Sequence, residues 1–228
     1  MLAIAGKEFK SLSKSIKSII IILLILSATL GIAKILNIFE GQLKDMGLGD
    51  NPYNAGLMII TFLLGPLFVF VLSHNTINEE INSRTIRFLV TKTSRTNIVL
   101  GKFIGILLFW TTIIFITVVS LGVYTGEFYF SNIHECITFL SYFITLAILL
   151  SIIIDNPIFS NFIGLAVSLT ISVIGIWSTF SDKILLNILS YVTPYYYFKD
   201  DNGLMYITLL LSVLFIIASL YLIKRRDL

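Results

Sequence analysis

The chain has 228 residues, of which 57% are hydrophobic and only 13% charged, with a mean hydropathy of +0.95 and a formal net charge of +3. Soluble domains carry roughly 25% charged residues, so polar surface is too scarce for a cytosolic enzyme, a nucleic-acid module or a disordered protein. One cysteine, Cys136, excludes an internal disulfide, and two histidines, His74 and His134, give little basis for a transition-metal site. The composition is that of an integral membrane protein.

In chain order, the first 17 residues form an amphipathic stretch. At 100° per residue, Leu2, Ala5, Phe9, Leu12 and Ile16 share one arc, and Lys7, Lys10, Lys14 and Lys17 share another. This pattern predicts an interfacial helix with its apolar side in the acyl chains and its lysines toward water and anionic lipid. A basic start before an apolar run also resembles a secretory signal with Ala33 near a cleavage point, but the two-sided helix favours a retained segment.

A helix needs about 20 apolar residues to cross the hydrocarbon core. Six segments reach that length: 18–36, 55–73, 103–124, 137–154, 159–179 and 204–223. Runs such as Ile19, Ile20, Ile21, Ile22, Leu23 and Leu24 do not alternate as barrel strands must. The expected fold is an all-α membrane protein with six transmembrane helices. It forms a single domain over 1–228, with the interfacial helix in 1–17, two spans in 18–73, a long connection in 74–102 and four spans in 103–228.

That connection begins with Thr76-Ile77-Asn78-Glu79, which fits a capping box. Ile77, Ile81, Phe88 and Leu89 then mix with Glu79, Glu80, Arg84 and Arg87, which predicts an amphipathic helix beneath the membrane. Ser94 is placed to cap the third span, with Arg95 and Lys102 snorkelling at its end. Asp155-Asn156-Pro157 reads as a tight turn. Near the last span, Tyr191, Tyr195, Tyr196, Tyr197 and Phe198 surround Pro194 and are expected at the outer headgroup level. The apolar segment 184–192 is too short to span, so it is interfacial or re-entrant.

Orientation follows from the lysine and arginine count. One side carries Lys7, Lys10, Lys14, Lys17, Arg84, Arg87, Lys92, Arg95, Lys102, Lys224, Arg225 and Arg226, while the other carries Lys34, Lys44, Lys183 and Lys199. The excess predicts cytoplasmic termini. Lys34 alone among the charged residues lies inside a span, near its outer end, where it can snorkel. Spans two to six hold no ionisable side chain of Asp, Glu, Lys, Arg or His, which argues against a proton-driven carrier. Catalytic elbows, zinc helices and phosphate-binding loops are absent from the sequence. No catalytic residue, cofactor or metal ligand is therefore assigned, and uphill transport would need energy from a separate subunit.

The connection resembles the cytoplasmic loop of type-2 ATP-binding-cassette export permeases. The matching residues are Glu80, Thr85, Leu89, Ser94, Arg95, Gly101 and Lys102. Arg84 stands where that family usually has glycine, and Lys92-Thr93 where a proline is common. The resemblance implies a permease paired with a second copy or a related chain, and bound to cytoplasmic ATPase subunits that hold ATP and Mg. It implies a coupling helix over 79–89, in which Glu79, Glu80, Arg84, Thr85, Arg87, Phe88 and Leu89 meet the ATPase. Lys7, Phe9, Lys10, Leu12 and Lys14 would mark the interfacial helix.

The isoleucine-, asparagine- and lysine-rich composition resembles permeases of low-GC Gram-positive bacteria, which implies the plasma membrane. It also suggests an amphipathic antimicrobial or cytolytic peptide as substrate, as in phenol-soluble-modulin exporters. Thr111, Thr112, Thr117, Ser120, Asn161, Ser168 and Ser172 are the polar residues available to a translocation path, whose lining is not assigned. A standalone carrier or channel, and a membrane immunity protein, are the alternatives.

Overall fold

The computed structural model describes residues 1–38, 52–126, 128, 130–178, 180–181, 183–198 and 203–226. Among these every regular element is helical: α1 (Leu2–Lys14), α2 (Ile16–Ile38), α3 (Pro52–Ser73), α4 (Asn78–Asn82), α5 (Ile86–Lys92), α6 (Arg95–Thr125), α7 (Ser131–Ile153), α8 (Pro157–Ser178), α9 (Ile184–Ser190), α10 (Pro194–Tyr197) and α11 (Ile207–Arg225), the last preceded by a 3-10 turn at Leu204–Tyr206. α3, α6, α7, α8 and α11 are long and apolar enough to cross a membrane, and the bent pair α1–α2 brings the number to six. The protein is an all-α membrane protein.

α1 and α2 are separated by one residue. Ser15 adopts extended backbone (φ −71°, ψ 131°), and the two axes differ by 70°. The amphipathic stretch is thus a separate helix, set off from the apolar span that follows. Its burial differs from a helix lying wholly on lipid. Leu2 and Ile16 are exposed, but Ala5 and Leu12 are buried in protein. Glycines on α6 make this possible: a Cβ at Gly101 would lie 2.9 Å from Ile4 Cβ and Met1 O, and one at Gly105 would lie 2.7 Å from Ala5 O and Glu8 Cβ. Without side chains there, the α1 backbone can approach closely.

α7 is the central helix, packed against α3, α6, α8 and α11. Phe139, Tyr142 and Phe143 are fully enclosed there. α8 and α11 carry many of their apolar side chains outward, including Phe162, Trp177, Leu210 and Leu214. One face of α8 is nonetheless small and buried, with Ser160, Gly164, Ser168, Ser172 and Gly175 at near-helical repeats. Gly164 admits the ring of Phe70, and Gly175 admits that of Tyr195.

The aromatic segment after α9 is divided between surface and interior. Tyr191 is half exposed, but Tyr195 is buried inside the bundle. The reason lies in α3. Pro66 has no N–H, so the carbonyl of Phe62, four residues earlier, loses its helix partner. In a membrane such a group must be satisfied by protein. The Tyr195 hydroxyl donates to Phe62 O at 2.6 Å and lies 2.9 Å from Ser172 Oγ. Tyr142 similarly donates to Val192 O at 2.8 Å. Residues 193–195 therefore turn back into the bundle, while Ile184, Leu185, Ile188 and Val192 stay exposed.

Tyr195→Phe keeps the ring and removes the donor. It is expected to cost about 1–3 kcal/mol by leaving the Phe62 carbonyl unpaired, and thermal unfolding of the purified protein in detergent checks this. An unchanged midpoint would mean that Pro66 leaves no deficit for Tyr195 to fill.

Candidate functional site

The basic connection, the N-terminal helix, the α7–α8 turn and the end of α11 converge at one end of the bundle. Lys102, one turn into the buried part of α6, is at its centre and is only 3% exposed. Its Nζ lies 3.3 Å from Glu8 Oε2 on α1 and 3.0 Å from Glu80 Oε1 on α4, and it donates to Thr76 O at 2.5 Å. Its expected snorkelling is overturned: the ammonium turns inward, where two carboxylates and a carbonyl satisfy it. One cation thereby ties three segments together.

The capping box is also replaced. Thr76 Oγ1 donates back to Ser73 O at 2.6 Å, and Asn75 Nδ2 donates to Glu79 Oε2 at 2.5 Å. The amides that open α4 are capped from another helix. Ile77 N and Asn78 N donate to Ser151 Oγ on α7 at 2.8 and 3.1 Å, and Asn78 Nδ2 donates to Ile154 O. Ser160 of α8 donates to His74 O at 2.9 Å. At the start of α6, Ser94 caps as expected, accepting from Asn97 N. Arg95 does not snorkel; its guanidinium reaches the carbonyls of Ile223, Lys224 and Arg226, which end α11 without helix partners.

The expected coupling helix over 79–89 is two short helices, α4 and α5, separated by Ser83, Arg84 and Thr85. Arg84 has φ +57°, a left-handed conformation that costs a residue with a Cβ roughly 1–2 kcal/mol. This is the position where the resembling family usually carries glycine, and the geometry explains why glycine suits it. Beyond the turn, Ile86 is buried and anchors α5, while Phe88 is 75% exposed.

Of the seven residues assigned to coupling, Glu79, Arg84, Thr85, Arg87 and Phe88 are exposed. Glu80 and Leu89 are half-buried, and Glu80 serves the Lys102 cluster. Among the α1 residues, Lys7, Lys10 and Lys14 are exposed, Phe9 is half-buried and Leu12 is buried.

Two recesses flank the connection. One of about 450 Å³ opens between α1 and α4, with Lys7, Lys17, His74 and Glu79 in its wall. The other, also about 450 Å³, lies between the connection and the chain end, walled by Ile81, Asn82, Ile86 and the charged Arg84, Arg87, Asp155 and Arg226. Arg226 pairs with Asp155 and donates to Ile152 O. Among the described residues no group of three or more His, Cys, Asp or Glu side chains is placed to hold a metal ion.

Most of the polar residues available to a translocation path bond within their own helices. Thr111, Thr112, Thr117 and Ser120 donate to carbonyls four residues back in α6, and Ser168 donates to Leu165 O within α8. Ser172 is taken up by Tyr195.

Sequence reasoning did not find Lys102 as a structural centre or Ser151 as a cap. A signal for Lys102 was present in Gly101 and Gly105, whose spacing beside it marks a close helix approach. Removing the ammonium strands two carboxylates. Lys102→Met is expected to destabilise by about 3 kcal/mol, and adding Glu8→Gln and Glu80→Gln should restore more than half of that. Thermal unfolding and purified yield of the single and triple variants check it; a loss below about 1 kcal/mol for the single variant would show a solvated pair instead.

Comparison with curated proteins returned no match. A family model does match, and it covers residues 2–228. With apolar spanning helices and a basic, ordered connection at one end of the bundle, the chain belongs to the ABC-2 family of transporter proteins, the transmembrane permease components of ABC transporters.

Proposed function

We propose that this permease couples ATP hydrolysis by a separate ATPase subunit to export of an amphipathic substrate, with α4 and α5 as the coupling element. The observation that carries this reading is the two-sided character of the 78–92 segment. Its inner side is held by Ser151, Ile154 and Lys102, while Phe88, Arg84 and Arg87 are exposed. A large exposed aromatic beside guanidinium groups is the composition of an interface anchor. A push on this segment would be passed to α1, α6 and α7 through polar contacts already made.

On this reading the basic end faces the cytoplasm of a bacterial cell and the whole chain acts as one permease domain. ATP and Mg reside on the ATPase, and a second permease, identical or related, completes the transporter. The outward apolar faces of α8 and α11 offer surface for lipid and for that second chain. An amphipathic peptide fits a bundle with almost no charge along its spans better than a highly charged cargo does.

The test is Phe88→Asp. The change lies outside the apolar spans and should leave membrane insertion and thermal stability intact. It should cut association with the ATPase subunit at least about tenfold, measured by titrating the ATPase onto permease in lipid nanodiscs, and lower transport-coupled ATP hydrolysis in proportion. Full ATPase binding by this variant would remove α5 from the interface.

A further inference from the structure

The recess between α5 and the chain end has a distinctive wall. Arg84, Arg87 and Arg226 contribute three guanidinium groups, and Asp155 contributes one carboxylate, itself engaged by Arg226. Among the described residues its wall is thus cationic, and it lies against α5, the helix that carries the exposed Phe88. Arg84 occupies its place at a conformational disadvantage. A backbone at φ +57° is freely available to glycine, yet this chain sets an arginine there and directs it to the recess wall. Local strain at an exposed, charged position is an observation from which a functional role can be inferred.

We propose that this recess receives a carboxylate-bearing loop of the ATPase subunit, and that Arg84 helps determine which ATPase the permease accepts. The proposal rests on the coupling reading above and adds two elements to the footprint: the end of α11 through Arg226, and the α7–α8 turn through Asp155. Planar guanidinium groups suit paired, directional bonds to carboxylates, which lysines would supply less selectively. Charges at such a recess discriminate between partners as well as attract them, because an ATPase presenting a basic loop would be repelled. An anionic lipid headgroup is the competing occupant. The position of the recess on the proposed coupling element, outside the apolar spans, favours protein.

The experiment uses the full-length permease in nanodiscs and the ATPase that co-purifies with it, identified by its nucleotide-binding sequence and then produced separately. Binding is titrated at low and high salt, in zwitterionic lipid and in lipid containing phosphatidylglycerol. Arg84→Gly should raise the thermal midpoint, because the turn relaxes, and still weaken ATPase binding about tenfold while flattening its salt dependence. Arg84→Glu and Arg226→Glu should weaken it further, and Arg84→Lys should recover part of the loss. A glycine variant that is more stable and yet binds less well separates recognition from folding.

Undiminished ATPase binding by Arg84→Glu would overturn the proposal. So would a pattern in which the arginine variants change retention of phosphatidylglycerol and leave ATPase affinity alone, since the occupant would then be lipid. If Phe88→Asp abolishes binding while the arginine variants bind normally, the recess inference fails and the coupling reading stands. If Phe88→Asp also binds normally, the coupling reading itself fails.

Discussion

A backbone carbonyl or amide that leaves its helix in an apolar medium must find another partner, and this chain meets that requirement by borrowing across helices. Pro66 frees the carbonyl of Phe62, and Tyr195 supplies the donor from far along the chain. The opening amides of α4 are met by Ser151 of α7. The closing carbonyls of α11 are met by Arg95 of α6. Each interruption of a helix is therefore also a bond between helices. At these three places a departure from regularity is also a cross-link.

Lys102 adds a charge to this scheme. A buried ammonium is costly in isolation, and paired charges gain little over well-packed apolar groups. Its contribution is therefore one of arrangement: α1, α4 and α6 can all satisfy it only in one relative position. Apolar contacts alone would tolerate sliding of α1 along α6. The fixed glycines at Gly101 and Gly105 and the fixed cation between them remove that freedom.

What could be read from the sequence divides by range. The spans followed from one length rule, and the Ser94 cap from the residues next to it. The two-sidedness of α1 was visible in its spacing, but its seat on Gly101 and Gly105 was not, because α6 lies far downstream. Thr76 had the right neighbours for a capping box and lost to Ser151, which no local pattern names. Glu80 and Leu89 were assigned to an external interface with Phe88. An amphipathic pattern separates two faces but does not say which polar residue turns back toward the protein, and Glu80 was claimed by Lys102. The arginine in place of glycine at position 84 was legible as an anomaly, and the left-handed backbone there gives it a cause.

The seat of α1 also bears on the order in which the chain assembles. Residues 2–14 leave the ribosome roughly ninety residues ahead of Gly101 and Gly105, an interval of about 5–20 s at ordinary rates of synthesis. For that time the first helix lacks its seat on α6. Its lysine arc and apolar arc suit it to wait on the bilayer surface, and the extended backbone at Ser15 lets it do so while the span behind it is inserted. Amphipathicity in α1 then serves the nascent chain, and the buried Ala5 and Leu12 serve the finished one.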